Sequence, residues 1–417
     1  MYERKFYHGQ LARFAGTPLV KVLTGMRRVG KSTIMRMFRE ELATGGVSPE
    51  QLVFVDMELL EFASIRNAAD LHSFVTERRL KGKASDHPQY LFIDEVQEIE
   101  GWEKAVNSIL NEGGFDIYLT GSNANLLSGE LATLLTGRYL EIPVYPLSFG
   151  EYSIFRNAAP DEAIFGEYLR RGGMPGIHHM DQDDETIRQY LGSLADSIIL
   201  KDIVGRYAVR DVDLLRRIIR FIADNSGNVF SAKRIADFMK NERRTVGVET
   251  VYNYLSYMLS SFLAYRVSRF DLKGKRFLEV GEKYYFSDLG LKNALIGYRQ
   301  SDINAALETL VYFELRRRGF TVSIGKAGNT EIDFIAERSG QKMYLQVCYL
   351  LADQSVAQRE FGPLESVSDN YPKYVLSMDR IMGSDRNGIR WVYLPDFLLN
   401  NEHTEPISER PLLAGRT

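Results

Sequence analysis

Gly25–Thr33 reads GMRRVGKST and matches the pattern GxxxxGK[ST] at every fixed position. The apolar run before it, Leu19–Leu23, reads as a strand. After it, Ile34–Ala43 carries Ile34, Met35, Met37, Phe38 and Leu42 on a helical pattern that ends at the Gly45-Gly46 turn. Strand, glycine loop and helix follow one another as a phosphate cradle requires. Gly25 and Gly30 permit the tight turn that aims backbone N–H groups inward, and the helix start adds the positive end of its dipole. Lys31 then reaches the β- and γ-phosphates of a nucleotide, and Ser32 offers its hydroxyl to Mg²⁺. Thr33 satisfies the helix start, and Arg28 completes the nucleotide-binding set of the loop.

Outward from the loop, the chain supplies what such a site needs next. Gln51–Met57 is a second buried strand, closed by Asp56 and Glu58 at the end where ligands gather in parallel sheets. Tyr90–Glu95, YLFIDE, delivers two carboxylates to the same edge. Asp94 is placed to orient Mg²⁺ through its water shell, and Glu95 to polarise the attacking water as general base. A further strand, Phe115–Ser122, ends in polar residues, so that Ser122 or Asn123 sits between the two motifs and senses the γ-phosphate. The stretch that follows reads as a helix, then Arg138, then a last strand at Tyr139–Val144; an arginine there is placed to reach out of its own subunit. Residues 1–18 read as a leading helix with Arg4, Lys5 and Arg13 on a solvated face.

With 417 residues the chain has room for about two to four domains, each burying its own core. An apolar share of 45% and a charged share of 26% are those of a globular protein, and no run long enough to span a membrane appears. The start MYERKFYHGQ lacks the apolar core of a secretory signal, so a cytoplasmic location is expected. One cysteine, Cys348, excludes an internal disulfide framework, and six scattered histidines show no zinc spacing. A net charge of −3 argues against a chain coated in nucleic acid and permits a local basic patch.

GMRRVGKST, YLFIDEVQ, YLTGSNANLLSGE, LLTGRYLEIPVYPLSFGEY and YLRRGGMP together resemble bacterial and archaeal AAA-type (STAND-like) P-loop ATPases that carry a winged-helix region and a C-terminal PD-(D/E)xK nuclease-like domain of unknown function. The resemblance spans nearly the whole chain. It implies Lys31 and Ser32 in the Walker A role, Asp94 and Glu95 in the Walker B role, and Ser122 or Asn123 as sensor. It places Arg138 at an arginine-finger position, where a cation supplied to a phosphoryl-transfer site is worth about 10³–10⁵ in rate. It also implies that Gly173 and Pro175 of GGMP form the turn of a small helical lid over the nucleotide, with Arg170 and Arg171 as further lid candidates.

Gly166–Gly205 reads as helical, with LADSIILKDIV an amphipathic segment suited to packing against the lid. From Asp211 the helices LLRRIIRFIADNSG, AKRIADFMK and VETVYNYLSYMLSSF, followed by strand-like AYRVSRF, a turn, and RFLEVGEKYYFSD, come in the order of a winged helix-turn-helix. Val251, Leu255, Met258 and Leu259 form its core stripe, while Tyr252, Asn253 and Tyr257 face outward. Bound to duplex DNA, the third helix would enter the major groove. Lys233, Arg234, Arg243 and Arg244 would meet phosphates, as would Lys273, Lys275 and Arg276 of the wing. The same module can instead be a protein contact.

The last region runs helix (ALETLVYFELRRRG, with Glu308 beside Tyr312 and Leu315), then strands FTVSIG, EIDFIAER and MYLQVCYLL, which is the order of a PD-(D/E)xK nuclease. Glu308 and Asp333 match the acid positions. Where (D/E)xK is expected the chain has Gln346, Val347 and Cys348, so that neither the second metal-binding acid nor the lysine is present, and cleavage is not expected.

The expected fold is therefore α/β: a P-loop NTPase parallel sheet (1–155), a helical lid (156–206), a winged helix-turn-helix (207–288) and a C-terminal restriction-endonuclease-like α/β domain (289–400), followed by a polar, disordered tail (401–417). The expected function is that of a Mg²⁺-dependent, ATP-hydrolysing switch coupled to DNA through the winged helix or to a protein through the C-terminal domain, with self-association and no membrane. Its rivals are a nucleotide-regulated DNA nuclease and a slow ATP-dependent scaffold without nucleic acid.

Overall fold

The computed structural model describes residues 2–80, 88–127, 135, 137–328, 330–380 and 385–400. Most of the helix expected before Arg138, and the tail from Asn401, lie outside the described residues. Contacts group the chain into two compact units, one of Met1–Tyr145, Leu200–Ala208 and Tyr257–Leu263, the other of Pro146–Ile199, Val209–Ser256 and Ala264–Thr417.

The first unit contains α1 (Lys5–Arg13), β1 (Val20–Thr24), α2 (Lys31–Thr44), β2 (Leu52–Asp56), α3 (Ala68–Glu77), β3 (Gln89–Asp94), α4 (Trp102–Glu112), β4 (Phe115–Gly121) and β5 (Tyr139–Pro143). Its strands are parallel in the order β2-β3-β4-β1-β5. They read as nearly continuous apolar runs because both faces of the sheet are covered. Val22, Val55, Leu91, Ile93 and Ile117 share a core with Leu71 and Val75 of α3 and Val106 and Ile109 of α4. The alternate residues Phe92 and Tyr118 stack at 5.0 Å on the other face, where Phe38 of α2 lies 5.3 Å from Tyr118. Lys21 interrupts β1 with a fully buried charge, neutralised by Asp116, whose second oxygen accepts from the Tyr118 hydroxyl at 2.9 Å and the Gly16 N–H at 2.8 Å. The register pairs Thr24 with Gly121 and Asp56 with Asp94, so the strands end level with one another and the loops that follow them gather at one edge.

One expectation is corrected here. Arg4 is not on a solvated face: it is 4% exposed, donates from Nη1 to the Val29 carbonyl at 3.0 Å and lies 4.5 Å over the Tyr7 ring. The leading helix thus braces the glycine loop through a carbonyl, while Lys5 and Arg13 are exposed as read.

The second unit begins with α5 (Phe149–Arg156), α6 (Glu162–Arg171) and α7 (Asp184–Ser197); the π-helical stretch that follows, Ile198–Gly205, belongs to the first unit from Leu200 on. Then come α8 (Val212–Asp224), β6 (Val229–Phe230), α9 (Ala232–Asn241), α10 (Val248–Ser260), whose residues from Tyr257 on belong to the first unit, and the hairpin β7 (Ala264–Asp271)–β8 (Arg276–Phe286), the order anticipated. Val251, Leu255 and Met258 are buried and Leu259 half-buried, whereas Tyr252 and Asn253 are exposed; Tyr257 is half-buried, stacked on Tyr207 at 4.0 Å. The remainder is α11 (Leu289–Ile296), α12 (Ile303–Arg317), β9 (Thr321–Ala327), β10 (Thr330–Arg338), β11 (Gln341–Val347), α13 (Gln354–Glu365), β12 (Lys373–Ser377), β13 (Ile389–Tyr393) and α14 (Leu394–Leu399). The hairpin does not stand apart from the last region. β7 pairs in parallel with β9, Arg269 opposite Ile324, so one eight-stranded sheet runs β13-β12-β11-β10-β9-β7-β8-β6.

Asp288 joins the GGMP turn to α11 in this unit. Its Oδ1 caps the helix at the Leu291 N–H (2.9 Å) and its Oδ2 accepts from the Gly173 N–H (2.6 Å). Burial pushes its carboxyl up to about 6 from 3.8, against the pull of the N–H donors. Three residues after Pro175 of the GGMP turn, His178 packs against Tyr152 and Phe155 with neither ring nitrogen partnered among the described residues, and burial pushes it down to about 4 from 6.5. The two titrations oppose each other. Asp288 favours the fold most below its unfolded pKa, and that contribution is lost as pH rises through about 6; the contribution of His178 is full above 6.5 and is lost as pH falls through about 4. Urea unfolding should therefore show the advantage of wild type over Asp288→Asn shrinking from pH 4 to 6, and its advantage over His178→Phe growing across the same span. Parallel pH curves for wild type and Asp288→Asn would refute the assignment.

Candidate active site

The level strand ends bring the two sequence motifs into contact. Gly25 leaves β1 at φ +147°, where a Cβ would stand 2.3 Å from the Val144 carbonyl oxygen, and Gly30 caps α2 at φ +98°, so the loop backbone cannot take this path with other residues without strain. Lys31, the first residue of α2, is buried and its Nζ donates to the carbonyls of Gly25 (3.0 Å) and Met26 (3.1 Å). Its ammonium is 3.9 Å from Glu95 Oε1. Ser32 Oγ donates to Asp94 Oδ1 at 3.0 Å, and the Thr120 hydroxyl of β4 donates to the same oxygen.

Glu95 adopts a left-handed backbone (φ 53°), rare for a residue with a side chain, and its N–H donates to Thr120 Oγ1 at 2.9 Å. Its Oε2 accepts from Ser122 Oγ at 3.1 Å and from the Gln97 amide. Burial pushes this carboxyl up, but the Lys31 ammonium, Gln97, Arg27 and Ser122 together outweigh it and hold it below the usual range. Burial pushes Asp94 up and Lys31 down. A carboxylate kept ionised beside a cavity, next to a second carboxylate paired with a hydroxyl, is equipped to polarise water.

The cavity, of about 750 Å³, is lined by Arg27, Glu58, Glu95, Asn123, Asp202 and Arg206 among others. Of the sequence candidates, Lys31, Ser32, Asp94, Glu95 and Ser122 are brought together by these contacts around the loop of Gly25 and Gly30, and Glu95 and Asn123 line the cavity. Thr33 is half-buried in the first turn of α2; Arg28 is exposed with φ 66°. Arg138 lies elsewhere. It precedes β5 at the amino end of the sheet, with Tyr139 opposite Val20, about 16 Å along β1 from the loop at roughly 3.3 Å per residue. Its guanidinium donates to Asn107 Oδ1 and Asn111 Oδ1, both at 2.8 Å. Pro175 opens a short 3₁₀ turn, Pro175–His179, in the second unit. Arg27, Gln97, Thr120 and Asp202 were not singled out from the sequence. The first three lie inside or beside the quoted motifs; Asp202 carries no local signal.

In the second unit Glu308 and Asp333 do come together, around a cation read from no motif. Lys283 of β8 is buried, with Nζ 3.2 Å from Glu308 Oε2, 2.8 Å from Glu331 Oε1 and 4.0 Å from Asp333 Oδ1; the Tyr285 hydroxyl donates to Glu308 at 3.1 Å. Burial alone would push the Lys283 pKa down, but Glu308, Asp333 and Glu331 push it up overall. Asp333 is raised by burial and by Glu308, and accepts from the Val347 N–H at 2.8 Å. Gln346 receives the Asp333 N–H at 3.3 Å, and Cys348 is buried with its thiol pushed up. Among the described residues no group of three or more His, Cys, Asp or Glu is arranged to hold a metal ion.

Residues 17–153 match the family model described as AAA domain, and residues 162–302 one described as a domain of unknown function (DUF8612). An uncharacterized protein of Haemophilus influenzae is 36% identical over 404 residues, 96% of this chain and 99% of that one. An uncharacterized protein of Methanocaldococcus jannaschii is 30% identical over 374 residues, 83% of this chain and 78% of that one. Among solved structures, the Thermotoga maritima RuvB Holliday junction branch migration motor aligns over 63% of this chain and 89% of that one, with 15% identity and a TM-score of 0.32. No described helix is long and apolar enough to cross a membrane.

Proposed function

The chain belongs to the same protein family as these Haemophilus influenzae and Methanocaldococcus jannaschii relatives and carries an AAA domain, and from that premise we propose that it is a Mg²⁺-dependent ATPase whose nucleotide state is relayed to DNA or to a protein partner. The observation that carries the proposal is the convergence of Lys31, Ser32, Asp94 and Glu95 at the carboxyl edge of β1 and β3. The Lys31 ammonium, held by two loop carbonyls, is ready to exchange them for phosphate oxygens. The Ser32 hydroxyl and Asp94 carboxylate, 3.0 Å apart, suit a hard octahedral cation that keeps most of its waters. Bound Mg²⁺ supplies charge neutralisation at the β- and γ-phosphates. Glu95 is the base that takes a proton from the attacking water, and Ser122, on the same carboxylate, links it to the end of β4 as sensor.

Arg138 has no reach to its own loop from the amino end of β5, so its assigned role is in the site of a neighbouring copy, and Pro175 is assigned to a lid. The elements from α8 to β8 support a winged helix, with Lys233, Arg234, Arg243, Lys273, Lys275 and Arg276 all exposed for phosphate contact. Arg244 is less available, being paired with Asp213 at 2.6 Å. The last region is a nuclease-like fold retained for binding, since Lys283 already neutralises its acids.

The deciding test is ATP turnover per subunit against protein concentration, with and without duplex DNA and with Lys31→Ala as blank. Turnover in wild type but not in Lys31→Ala, rising with concentration and with DNA, is expected. Arg138→Ala should lower turnover with ATP affinity retained. Wild-type turnover no greater than the blank would sink the ATPase, flat concentration dependence would remove Arg138, and indifference to DNA would leave a protein as the partner. Plasmid nicking lost in Asp333→Ala would restore the nuclease.

A further inference from the structure

The glycine loop carries a cation of its own. Arg27, its third residue, binds both oxygens of Asp202, Nε to Oδ2 at 2.9 Å and Nη2 to Oδ1 at 3.0 Å, and comes within 3.5 Å of Glu58. The pair is well buried, with side-chain exposures of 14% for Arg27 and 3% for Asp202. Arg27 lines the same cavity as Glu95. The two are near enough for their charges to interact, Glu95 adding to the raised pKa of Arg27 that the Asp202 hydrogen bond dominates.

The geometry has a chemical reading. A planar guanidinium matches the two oxygens of a carboxylate as it matches those of a phosphate. Asp202 thus presents to Arg27 the acceptors that a phosphoryl group would present. Arg206, which also lines the cavity, has a buried Nη1 that meets no acceptor among the described residues. Asp202 lies in the π-helical stretch Ile198–Gly205, an irregularity that recurs at functional sites. Arg138 is held by Asn107 and Asn111 at the far end of the sheet, whereas Arg27 is a loop guanidinium on the cavity that Glu95 also lines.

We propose that Arg27 is a catalytic residue of the ATP site, contacting the transferring γ-phosphoryl group from within its own chain, and that Asp202 holds the guanidinium until phosphate takes its place. The inference rests on the ATPase reading. In the step it serves, a bond forms between the water oxygen and the γ-phosphorus, and the bond from that phosphorus to the β,γ-bridging oxygen breaks. The proton of the water passes to the Glu95 carboxylate, and ADP and inorganic phosphate are the products. Arg27 forms no covalent bond; it balances charge on the γ-phosphoryl oxygens.

The test compares Arg27→Ala, Arg27→Lys and Asp202→Asn with wild type and with Lys31→Ala as blank. Arg27→Ala should lower kcat by about 10³ at every protein concentration, with KM for ATP changed by less than about tenfold. It should also lose retention of ADP with aluminium fluoride while keeping retention of ADP alone. Arg27→Lys should recover only a minor part, because a lysine cannot make the bidentate contact. Asp202→Asn should lower KM for ATP, since it removes the competitor for Arg27. Wild-type kcat in Arg27→Ala would overturn the proposal, as would equal losses in kcat, ADP retention and melting temperature. Rescue of Arg27→Ala by mixing with Lys31→Ala chains, whose Arg27 is intact, would overturn the own-chain assignment. If wild type exceeds the Lys31→Ala blank while Arg27→Ala behaves as wild type, only this inference fails; if wild type does not exceed it, the ATPase reading fails and takes the inference with it.

Discussion

Glu95→Gln should lower ATP turnover by about 10²–10⁴-fold, the usual contribution of a positioned general base, while nucleotide affinity stays close to that of wild type. The amide can still accept from Ser122 Oγ, which reaches Oε2 at 3.1 Å, but it cannot take a proton from water at neutral pH. On the proposed function affinity should survive, because Asp94, Ser32 and the loop would carry the nucleotide and its cation, and none of their contacts passes through Glu95 Oε2. Single-turnover hydrolysis beside equilibrium nucleotide binding separates the two quantities. Equal turnover in Glu95→Gln and wild type would remove Glu95 from the chemistry, and a parallel fall in affinity would make it a structural partner of Lys31.

Lys283→Met should destabilise the fold by about 3 kcal/mol, the lower end of the cost of removing one partner from a buried ion pair. The ammonium is 4% exposed and is the cation that Glu308, Glu331 and Asp333 share, while Glu331, a third exposed, can turn part of its charge to solvent. The loss should shrink on acidification. Burial holds the Glu308 and Asp333 carboxyls above their usual range even with Lys283 present, so in the variant the penalty is full above their folded pKa values and disappears as pH falls and they protonate. Adding Glu308→Gln should recover part of the loss, since it removes one of the stranded charges. Urea unfolding of the single and double variants at acid and neutral pH measures each part. A Lys283→Met chain as stable as wild type at neutral pH would mean that water, rather than Lys283, screens these acids.

Most of the site was legible because its chemistry is contiguous in the chain. A loop that wraps phosphates has to place its glycines, lysine and hydroxyl within one turn of backbone, and a strand that delivers acids has to end in them. GMRRVGKST and YLFIDE therefore stand out in the sequence at Gly25–Thr33 and Tyr90–Glu95, and the level ends of β1 and β3 bring them together. Arg138 was legible as an arginine before the last strand, yet its hold on Asn107 and Asn111 of α4 was not, because that contact depends on how a helix lies against a sheet edge. Arg4 was misread for a related reason. Helical position says which residues share a face, but not that a carbonyl of the glycine loop, at Val29, comes to meet one of them.

The sequence by itself determined the parallel α/β sheet around the glycine loop, the order of helices and hairpin after Asp211, and that an amide, a valine and a thiol stand at Gln346–Cys348. Each follows from local pattern: strand and helix periods, turn residues, and the side-chain chemistry at a fixed spacing. Only the tertiary structure decided that the hairpin β7–β8 joins β9 in one sheet, and with it that Lys283 stands among Glu308, Glu331 and Asp333. It alone decided that Asp202, 175 residues from Arg27, would occupy both edges of that guanidinium. Ladder pairing and charge pairing between distant segments are set by which surfaces fold against each other, and no period or spacing along the chain encodes that choice.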